Sequence, residues 1–351
     1  MIGNTQKVEN VELLKEKSLS RKKILGVVKW LWMLLVILGT GYYFYQNWEQ
    51  VTLLLTDVSL WRLFAALWLL ILGKIMLVLL VNYSVKAEGW HPSFWQTVGI
   101  YGLTSLGKYI PGGIWHFVGR IGVYRTNHMD REQIIRAMVL ENYWLLSSAL
   151  TLGLSSLCFF QFDLVQLLLN INTSSIFGFF IGVLIFLIWI AATYLIHRFL
   201  DKHTREKVVP PFLASLISVV AWLLIGLSFF IMFPNRALFE LPLFIGGYAV
   251  SWAVGYIAVF APGGLGVREA ALAFVFSNIA SVEMIAVYAA MNRIIWVIAE
   301  VLFGLVGMVQ KQVMQANQPE DENITLESEE TKKQIKEPSL ASDSQDMIEA
   351  K

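Results

Sequence analysis

Two Pro-Gly-Gly triplets, Pro111-Gly112-Gly113 and Pro262-Gly263-Gly264, interrupt long apolar stretches of this sequence. Proline lacks a backbone N–H and glycine is a poor helix former, so each triplet is expected to end one helix and begin another. A helix that begins inside a membrane presents free N–H groups and the positive end of its dipole. Both breaks are therefore candidate anion sites, and a phosphate-bearing lipid headgroup is the ligand we expect.

Charged side chains cluster around both triplets. Lys108, His116 and Arg120 flank the first triplet, and Arg268 and Glu269 follow the second. The predicted substrate-binding residues are Lys108, Pro111, Gly112, Gly113, His116, Arg120, Pro262, Gly263, Gly264, Gly266, Arg268 and Glu269. The alternative is that each triplet forms a tight turn at the membrane surface, where the basic residues face water.

Charged residues also lie inside the predicted membrane spans, where they are costly and usually paired or functional. Glu141 and Arg293 carry opposite charges at nearly equivalent places in the two halves of the chain. We predict an intramembrane charge pair between them at the interface of the halves, acting as a gate or a proton-coupled pair. The alternative is that each charged group reaches a membrane surface along its own side chain. Lys74 and Glu300 are weaker candidates, because either could pair locally.

The composition is that of a membrane protein. The 351 residues are 56% hydrophobic and 15% charged, against roughly 45–50% and 25% in soluble domains. Many of the charges lie in residues 1–23 and 311–351, so the region between them is mostly apolar. This distribution excludes a soluble enzyme, a secreted disulfide scaffold and a disordered chain. The net charge of +1 gives no reason to expect nucleic acid as a partner.

Metal and cofactor sites are not predicted. The chain has a single cysteine, Cys158, and its five histidines show no spacing typical of metal ligands. Its 13 tryptophans are typical of membrane interfaces.

Six segments are apolar over about 20 residues, the length needed to cross a membrane. They are Val27–Tyr45, Arg62–Tyr83, Ala137–Phe160, Ile176–His197, Phe212–Phe233 and Met284–Val309. The two broken regions, Ser93–Tyr124 and Leu243–Ile279, are each predicted to form a helical hairpin. Such a hairpin is re-entrant if its arms stop midway, and otherwise a pair of short crossings. The predicted fold is thus an all-α polytopic membrane protein, with about six full transmembrane helices and two Pro-Gly-Gly-broken hairpins.

The loops predict an orientation and three parts of the chain. Loops on one side are rich in lysine and arginine, such as the 198–207 loop, whereas those on the other side contain almost none. Because these residues favour the cytoplasmic side, both termini are predicted to be cytoplasmic. We expect a basic cytoplasmic segment over residues 1–24, a transmembrane domain over 25–310 and a disordered acidic tail over 311–351.

The order of elements indicates an internal repeat. Span, span, broken hairpin and span occur twice, in halves at about 25–160 and 176–310, with corresponding elements about 150 residues apart. Each half crosses the membrane an odd number of times, so the second copy is predicted to be inverted. Inverted repeats with interrupted helices at matching positions indicate a transporter whose binding site lies between the halves.

Two stretches resemble a known family, namely Leu106–Arg120 (LGKYIPGGIWHFVGR) and Ala261–Glu269 (APGGLGVRE). They are similar to the membrane region of the lysylphosphatidylglycerol synthases, also called flippase-like or UPF0104, and the resemblance covers roughly residues 20–310. Glu141 and Arg293 also look like charged positions of the family pattern. The resemblance implies a multi-pass protein of a bacterial or archaeal inner membrane that handles polar or charged lipids.

The same resemblance limits which activity is expected. The synthases join this membrane region to a soluble domain that transfers an amino acid from aminoacyl-tRNA to phosphatidylglycerol, and the membrane region is linked to flipping the product lipid. About forty residues follow the last predicted span here, so we do not expect aminoacyl transfer.

The sequence as a whole predicts an integral inner-membrane protein that binds a polar or anionic phospholipid or glycolipid and moves it between leaflets. Arg120 and Arg268 would neutralise the bound phosphate, and no catalytic residue is proposed. One alternative is a membrane-embedded transferase acting on a lipid carrier, for which only His128, Asp130 and Glu132 lie close together. Another is a partner subunit without transport activity, which recruits a separate soluble lipid-modifying enzyme through the acidic tail.

Overall fold

The computed structural model of the chain describes residues 31–316, with gaps at 33, 37, 40, 43–44, 57, 110–113, 201–210 and 259. These residues are helical and include no strand, which confirms the predicted all-α class. The basic segment 1–24, the triplet Pro111-Gly112-Gly113 and the tail beyond 316 lie outside the described residues.

Most of the described chain is α-helix. The helices are α1 (Trp48–Thr56), α2 (Leu60–Lys86), α3 (Phe94–Ser105), α4 (Trp115–Thr126), α5 (Arg131–Phe160), α6 (Phe162–Leu169), α7 (Ser175–Leu200), α8 (Pro211–Phe230), α9 (Leu241–Ile257), α10 (Val267–Val275) and α11 (Val282–Ala316). Between 31 and 46 every described residue is helical as well. Short 3₁₀ turns lie at both breaks, over Leu106–Tyr109 and Pro262–Gly264.

Six helical segments among the described residues are long and apolar enough to cross a membrane, as expected of a multi-pass membrane protein. They are Leu60–Lys86, Arg131–Phe160, Ser175–Phe199, Phe212–Phe230, Leu238–Ile257 and Val282–Gln310. Five of them confirm predicted spans to within a few residues. The sixth predicted span, Val27–Tyr45, lies partly outside the described residues.

The two broken regions have different arms. In the first, α3 and α4 have 12 residues each. At 1.5 Å per residue each spans about 18 Å, less than the roughly 30 Å hydrocarbon core of a bilayer. In the second, α9 belongs to a segment long enough to cross, Leu238–Ile257, whereas α10 has only 9 residues. The sequence had not distinguished the two hairpins in this way.

Helix packing brings the two breaks together. The 3₁₀ turns Leu106–Tyr109 and Pro262–Gly264 contact each other, α3 packs against α4, and α9 packs against α10. Behind them α9 also packs against α5 and α8. Trp222, Phe229 and Phe244 are fully buried in this core, so large aromatic side chains fill the space between the helices.

Local sequence explains where two helices next to the site begin. Ser93 precedes α3, and its hydroxyl accepts a hydrogen bond from the backbone N–H of Gln96. Asp130 precedes α5, and its carboxylate accepts one from the N–H of Gln133 at 2.8 Å. Both glutamines return a contact to the backbone N–H of the capping residue, which completes a capping box at each helix start.

The chain divides into two compact units, Met1–Gly307 and Met308–Lys351. All residues of the site described below belong to the first unit. In this unit α2, the α3–α4 pair and the start of α5 are followed about 150 residues later by α8, the α9–α10 pair and the start of α11. This spacing agrees with the predicted repeat for these elements, and the inverted repeat as a whole stays a prediction.

Candidate functional site

A cavity of about 250 Å³ lies where the two breaks meet. Both 3₁₀ turns line it, together with residues of the helices on either side of them. Its cationic lining residues are Lys108, Arg120, Arg268 and Arg293, and its carboxylates are Glu141 and Glu300. Aromatic residues complete much of the wall, among them Tyr101, Tyr109, Phe117, Trp252, Tyr256 and Trp296. The cavity therefore joins a surplus of positive charge to an aromatic surface.

The first half contributes a buried ion pair. Arg120 on α4 donates through Nη1 to Oε1 of Glu141 on α5, and the Arg120 guanidinium lies 5.5 Å from the centroid of the Tyr101 ring. Both charged side chains are almost fully enclosed. Removing two charged side chains from water is costly, and their direct contact offsets part of that cost.

The second half contributes another ion pair, which also fastens the backbone of the break. Arg293 on α11 donates through Nε to Glu269 Oε1 at 2.7 Å and through Nη1 to the carbonyl of Gly263 at 2.8 Å. The second carboxylate oxygen of Glu269 accepts from the backbone N–H of Gly266 at 2.8 Å. One arginine and one glutamate thus connect the turn, the start of α10 and α11.

Glycine is required at this second break. Gly263 and Gly264 adopt φ angles of +59° and +70°, in the left-handed region that side chains with a Cβ disfavour. A Cβ on Gly264 would also lie 2.9 Å from the carbonyl oxygen of Gly255 on α9. The Pro-Gly-Gly sequence therefore permits a tight turn whose backbone approaches the preceding helix closely.

A second buried network surrounds Trp296 on α11. Lys74 on α2 donates to Glu300 Oε1 at 2.7 Å, and Lys108 on the first 3₁₀ turn donates to the same oxygen. Lys74 is fully buried, and its Nζ lies 3.9 Å from the centroid of the Trp296 ring. Nζ of Lys108 lies 5.1 Å from the same centroid. A single carboxylate therefore serves two lysines beside one indole ring.

Arg268 on α10 is paired differently from the other cations. It is 6% exposed, and its Nη2 donates to the Tyr248 hydroxyl and, at 3.1 Å, to Asn292 Oδ1. Among the described residues, no carboxylate lies within salt-bridge distance of its guanidinium. Its hydrogen-bond partners are therefore the neutral Tyr248 hydroxyl and Asn292 amide oxygen. Its Cζ also lies 5.4 Å from the Trp296 ring centroid.

Some donors of the cavity-lining arginines are not used within the described part of the chain. Arg120 Nε and Arg293 Nη2 are buried and have no hydrogen-bond partner there. The acceptor Glu300 Oε2 is also buried and has no hydrogen-bond partner among the described residues. Buried polar atoms without partners are rare in proteins and call for an explanation such as a ligand or an ordered water.

Nine of the predicted substrate-binding residues lie in the described part of the chain, and six of these nine line the cavity. Those that do are Lys108, His116, Arg120, Gly263, Gly264 and Arg268, together with the predicted charged residues Glu141 and Arg293. The cavity lining does not include Pro262, Gly266 or Glu269. The hydrogen bond between Gly266 and Glu269 nevertheless stabilises the start of α10, next to the turn that lines the cavity. Pro111, Gly112 and Gly113 lie outside the described residues.

The predicted pair between Glu141 and Arg293 is replaced by two pairs within the halves. Each group has a partner on the hairpin of its own half, Arg120 for Glu141 and Glu269 for Arg293. Equivalent positions in a repeat give similar depth in a membrane, but they do not give the direction in which each side chain points. The nearer charge on the neighbouring helix therefore forms the pair.

Sequence reasoning underrated two groups of residues. Lys74 and Glu300 are only weak candidates from the sequence, because either could pair locally, yet they pair with each other across 226 positions of sequence. The buried cations also contact Trp296, Tyr248 and Asn292, whereas the sequence predicts that the tryptophans mostly lie at membrane interfaces. The sequence signal for the Lys74–Glu300 pair was the presence of one basic and one acidic residue inside two predicted spans.

The acidic residues considered for a transferase serve the local fold. Asp130 caps α5, and Glu132 lies 3.4 Å from Arg136 one turn further along that helix. Within the described residues, no group of three or more His, Cys, Asp or Glu side chains could hold a metal ion.

Comparison with known proteins adds no assignment to this geometry. No protein-family model matches the chain, and a search of curated proteins returned no match.

Proposed function

We propose that the chain is an integral membrane protein that binds an anionic lipid headgroup in this cavity and moves the lipid between leaflets. The observation that carries the proposal is the excess of cations over carboxylates in a cavity formed by both breaks. A cleft with an excess of one sign of charge attracts and concentrates ligands of the opposite charge.

The chemistry of the lining favours a headgroup over a wholly apolar ligand. Arg268 has only neutral partners among the described residues, and a buried charge without a counter-ion is costly. A phosphate oxygen placed between Arg268 and Lys108 would supply that counter-charge. Arginine suits this task because its planar guanidinium offers several donors to one phosphate group.

The surrounding helices suggest how the lipid would move. The acyl chains would stay among the apolar faces of the helices while the headgroup passes between the two hairpins. The Arg120–Glu141 and Glu269–Arg293 pairs link each hairpin to its long helix, so they would be contacts that shift as a hairpin moves. In this scheme they replace the single predicted gate between Glu141 and Arg293.

The wider features of the proposal come from the sequence. They are re-entrant hairpins in an inverted repeat, cytoplasmic termini, a bacterial or archaeal inner membrane, and membership of the flippase-like family. The short arms of the first hairpin and its contact with the second break support the first of these features.

Lipid translocation in vesicles tests the proposal. The full chain would be reconstituted with acyl-labelled phosphatidylglycerol, phosphatidate or a neutral glycolipid, which leaves each headgroup intact. Access of a membrane-impermeant quencher to the inner-leaflet label would then be followed. We expect faster translocation of an anionic lipid than of the glycolipid, and Arg268→Gln should lower that rate by about tenfold or more.

The matched control is Arg125→Gln, which removes a cation from an exposed position on α4. It should leave the rate unchanged. If Arg120→Gln and Arg268→Gln both translocate lipid like the parent while remaining folded, the cavity is not the site. If the parent accelerates no lipid, the transporter proposal fails and the transferase and partner-subunit alternatives remain as predictions.

A further inference from the structure

The distribution of charge around the cavity points to a ligand with two negative charges. We infer that the site prefers a lipid phosphomonoester, whose terminal phosphate is dianionic, over a phosphodiester, which carries one charge. This inference rests on the proposed function and specifies its substrate class.

Two of the four cavity cations are already neutralised by a dedicated carboxylate. Arg120 is paired with Glu141, and Arg293 is paired with Glu269. Each of these pairs is neutral as a unit, so neither contributes to a net charge that a ligand would have to balance.

The remaining cations leave two positive charges uncompensated. Glu300 is the shared partner of Lys74 and Lys108, so this group of three carries one net positive charge. Arg268 has no carboxylate partner among the described residues and carries the other. The described part of the cavity therefore has a surplus of two charges.

Both surplus charges lie beside the same side chain. Lys108 Nζ and Arg268 Cζ are 5.1 Å and 5.4 Å from the centroid of the Trp296 ring, so they lie within about 10.5 Å of each other. One cation comes from the first break and the other follows the second break. Lys108 can leave Glu300 for a ligand because the fully buried Lys74 remains to neutralise that carboxylate.

A phosphomonoester matches this surplus in charge and in acceptors. Near neutral pH it carries about −1.5 to −2 charges and offers three terminal oxygens. A phosphodiester carries one charge and offers two such oxygens, so one cation would stay uncompensated in a largely desolvated cavity. His116 also lines the cavity, and a proton on it would increase the surplus and not reduce it.

Calorimetric titration of the full chain in detergent tests the inference with two lipids that differ by one methyl group. Dihexanoyl phosphatidate is a monoester, and dihexanoyl phosphatidylmethanol is the corresponding diester. At about pH 8 the monoester is dianionic, since its second pKa is about 6. We expect phosphatidate to bind about tenfold more tightly or better, because it interacts with both surplus cations.

Charge variants locate the preference. Arg268→Gln leaves a surplus of one charge, so the preference for phosphatidate should fall to near parity. Lys108→Gln tests the same point independently, because Lys74 still neutralises Glu300. The exposed control Arg125→Gln removes a cation outside the cavity and should retain the parental preference. Size-exclusion chromatography would establish that each variant is folded.

The outcomes separate this inference from the proposal on which it rests. Equal binding of the two lipids, or tighter binding of the diester, overturns the dianion preference and leaves lipid binding intact. Binding of neither lipid overturns the proposed function itself. A third titration uses inorganic phosphate, and an affinity equal to that of phosphatidate would assign the cavity to a water-soluble phosphate instead of a lipid.

Discussion

In the first half of the chain the hairpin carries the cation, Arg120, and the long helix carries the carboxylate, Glu141. In the second half the hairpin carries the carboxylate, Glu269, and the long helix carries the cation, Arg293. The same link between hairpin and long helix is thus built twice with opposite placement of charge. Each of these two pairs is neutral within its own half, so neither pair depends on a charge from the other half.

The two links also differ in their surroundings. The side chains of the first pair are 5% and 11% exposed, whereas those of the second are 19% and 29% exposed. The second pair holds backbone as well, through Gly263 and Gly266. The first pair is therefore more enclosed and, among the described residues, has no hydrogen bond to the backbone of a break, whereas the second pair is more exposed and acts together with hydrogen bonds to the turn.

A third group of charged side chains, Lys74, Lys108, Arg268 and Glu300, surrounds Trp296 and belongs to neither pair. There the two halves do meet, because Lys108 comes from the first break, Arg268 follows the second, and Glu300 lies on α11. The pairs within each half therefore hold the fold together, whereas the cations between the halves are the groups for which we propose a binding role.

The largest expected effect comes from removing the carboxylate of this third group. Glu300→Gln leaves the fully buried Lys74 without a counter-ion, and an uncompensated buried charge costs about 3–5 kcal/mol. In a chain of this size we expect the melting temperature in detergent to fall by roughly 10 °C.

The control for this prediction removes both charges. The double variant Lys74→Met/Glu300→Met should recover much of the lost stability, because it takes away the uncompensated charge as well. A Glu300→Gln protein that melts like the parent would show that Lys74 does not depend on this carboxylate.

The next prediction compares the two halves directly. Glu141→Gln should destabilise the fold by about 3 kcal/mol, because Arg120 stays buried without its partner. Glu269→Gln should cost only about 1 kcal/mol, because its pair is more exposed and the amide oxygen can still accept from Gly266. Thermal unfolding of the two variants side by side measures the difference. Equal losses would mean that burial does not distinguish the two pairs.

Hydrophobic length and helix breakers made much of the fold predictable. Five spans appear to within a few residues of their predicted bounds, because a helix that crosses a membrane needs a long apolar segment and little else. The second break lies at Pro262–Gly264, as the sequence predicts, because proline and glycine interrupt a helix through local backbone chemistry.

The partners of the charged side chains were not predictable in the same way. Lys74 and Glu300 are 226 positions apart, and their contact depends on how two helices are rotated about their axes. Glu141 and Arg293 were matched by their positions in the repeat, which carry no information on that rotation. Several predicted site residues therefore line the cavity, whereas the contacts between them were not predicted.

The second break itself offers a smaller test. Gly264→Ala should destabilise the protein by about 2 kcal/mol, from a left-handed φ and the close approach to Gly255. Gly263 has a left-handed φ as well, but an added Cβ there would only be in ordinary contact with Arg293 Nη1, at 3.9 Å, so Gly263→Ala should cost only about 1 kcal/mol. Melting temperatures of the two variants test the order. The reverse order would mean that the turn does not approach α9 closely at Gly264.

The smallest expected effect concerns Trp32, which lies against the second break. Its Nε1 donates to the carbonyl of Leu265 at 3.0 Å, and its ring packs edge-on against Phe260. Trp32→Phe keeps an aromatic ring there and removes the hydrogen bond, which is worth about 1 kcal/mol.

Amide hydrogen exchange over residues 260–268 should then be about fivefold faster in Trp32→Phe, the factor that corresponds to this free energy. Exchange in α4 should not change, because the contacts that Trp32→Phe alters are with the second break. Equal acceleration in both hairpins would show that the two breaks open as one unit. Trp61→Phe, at an exposed tryptophan, is the matched control and should alter neither region.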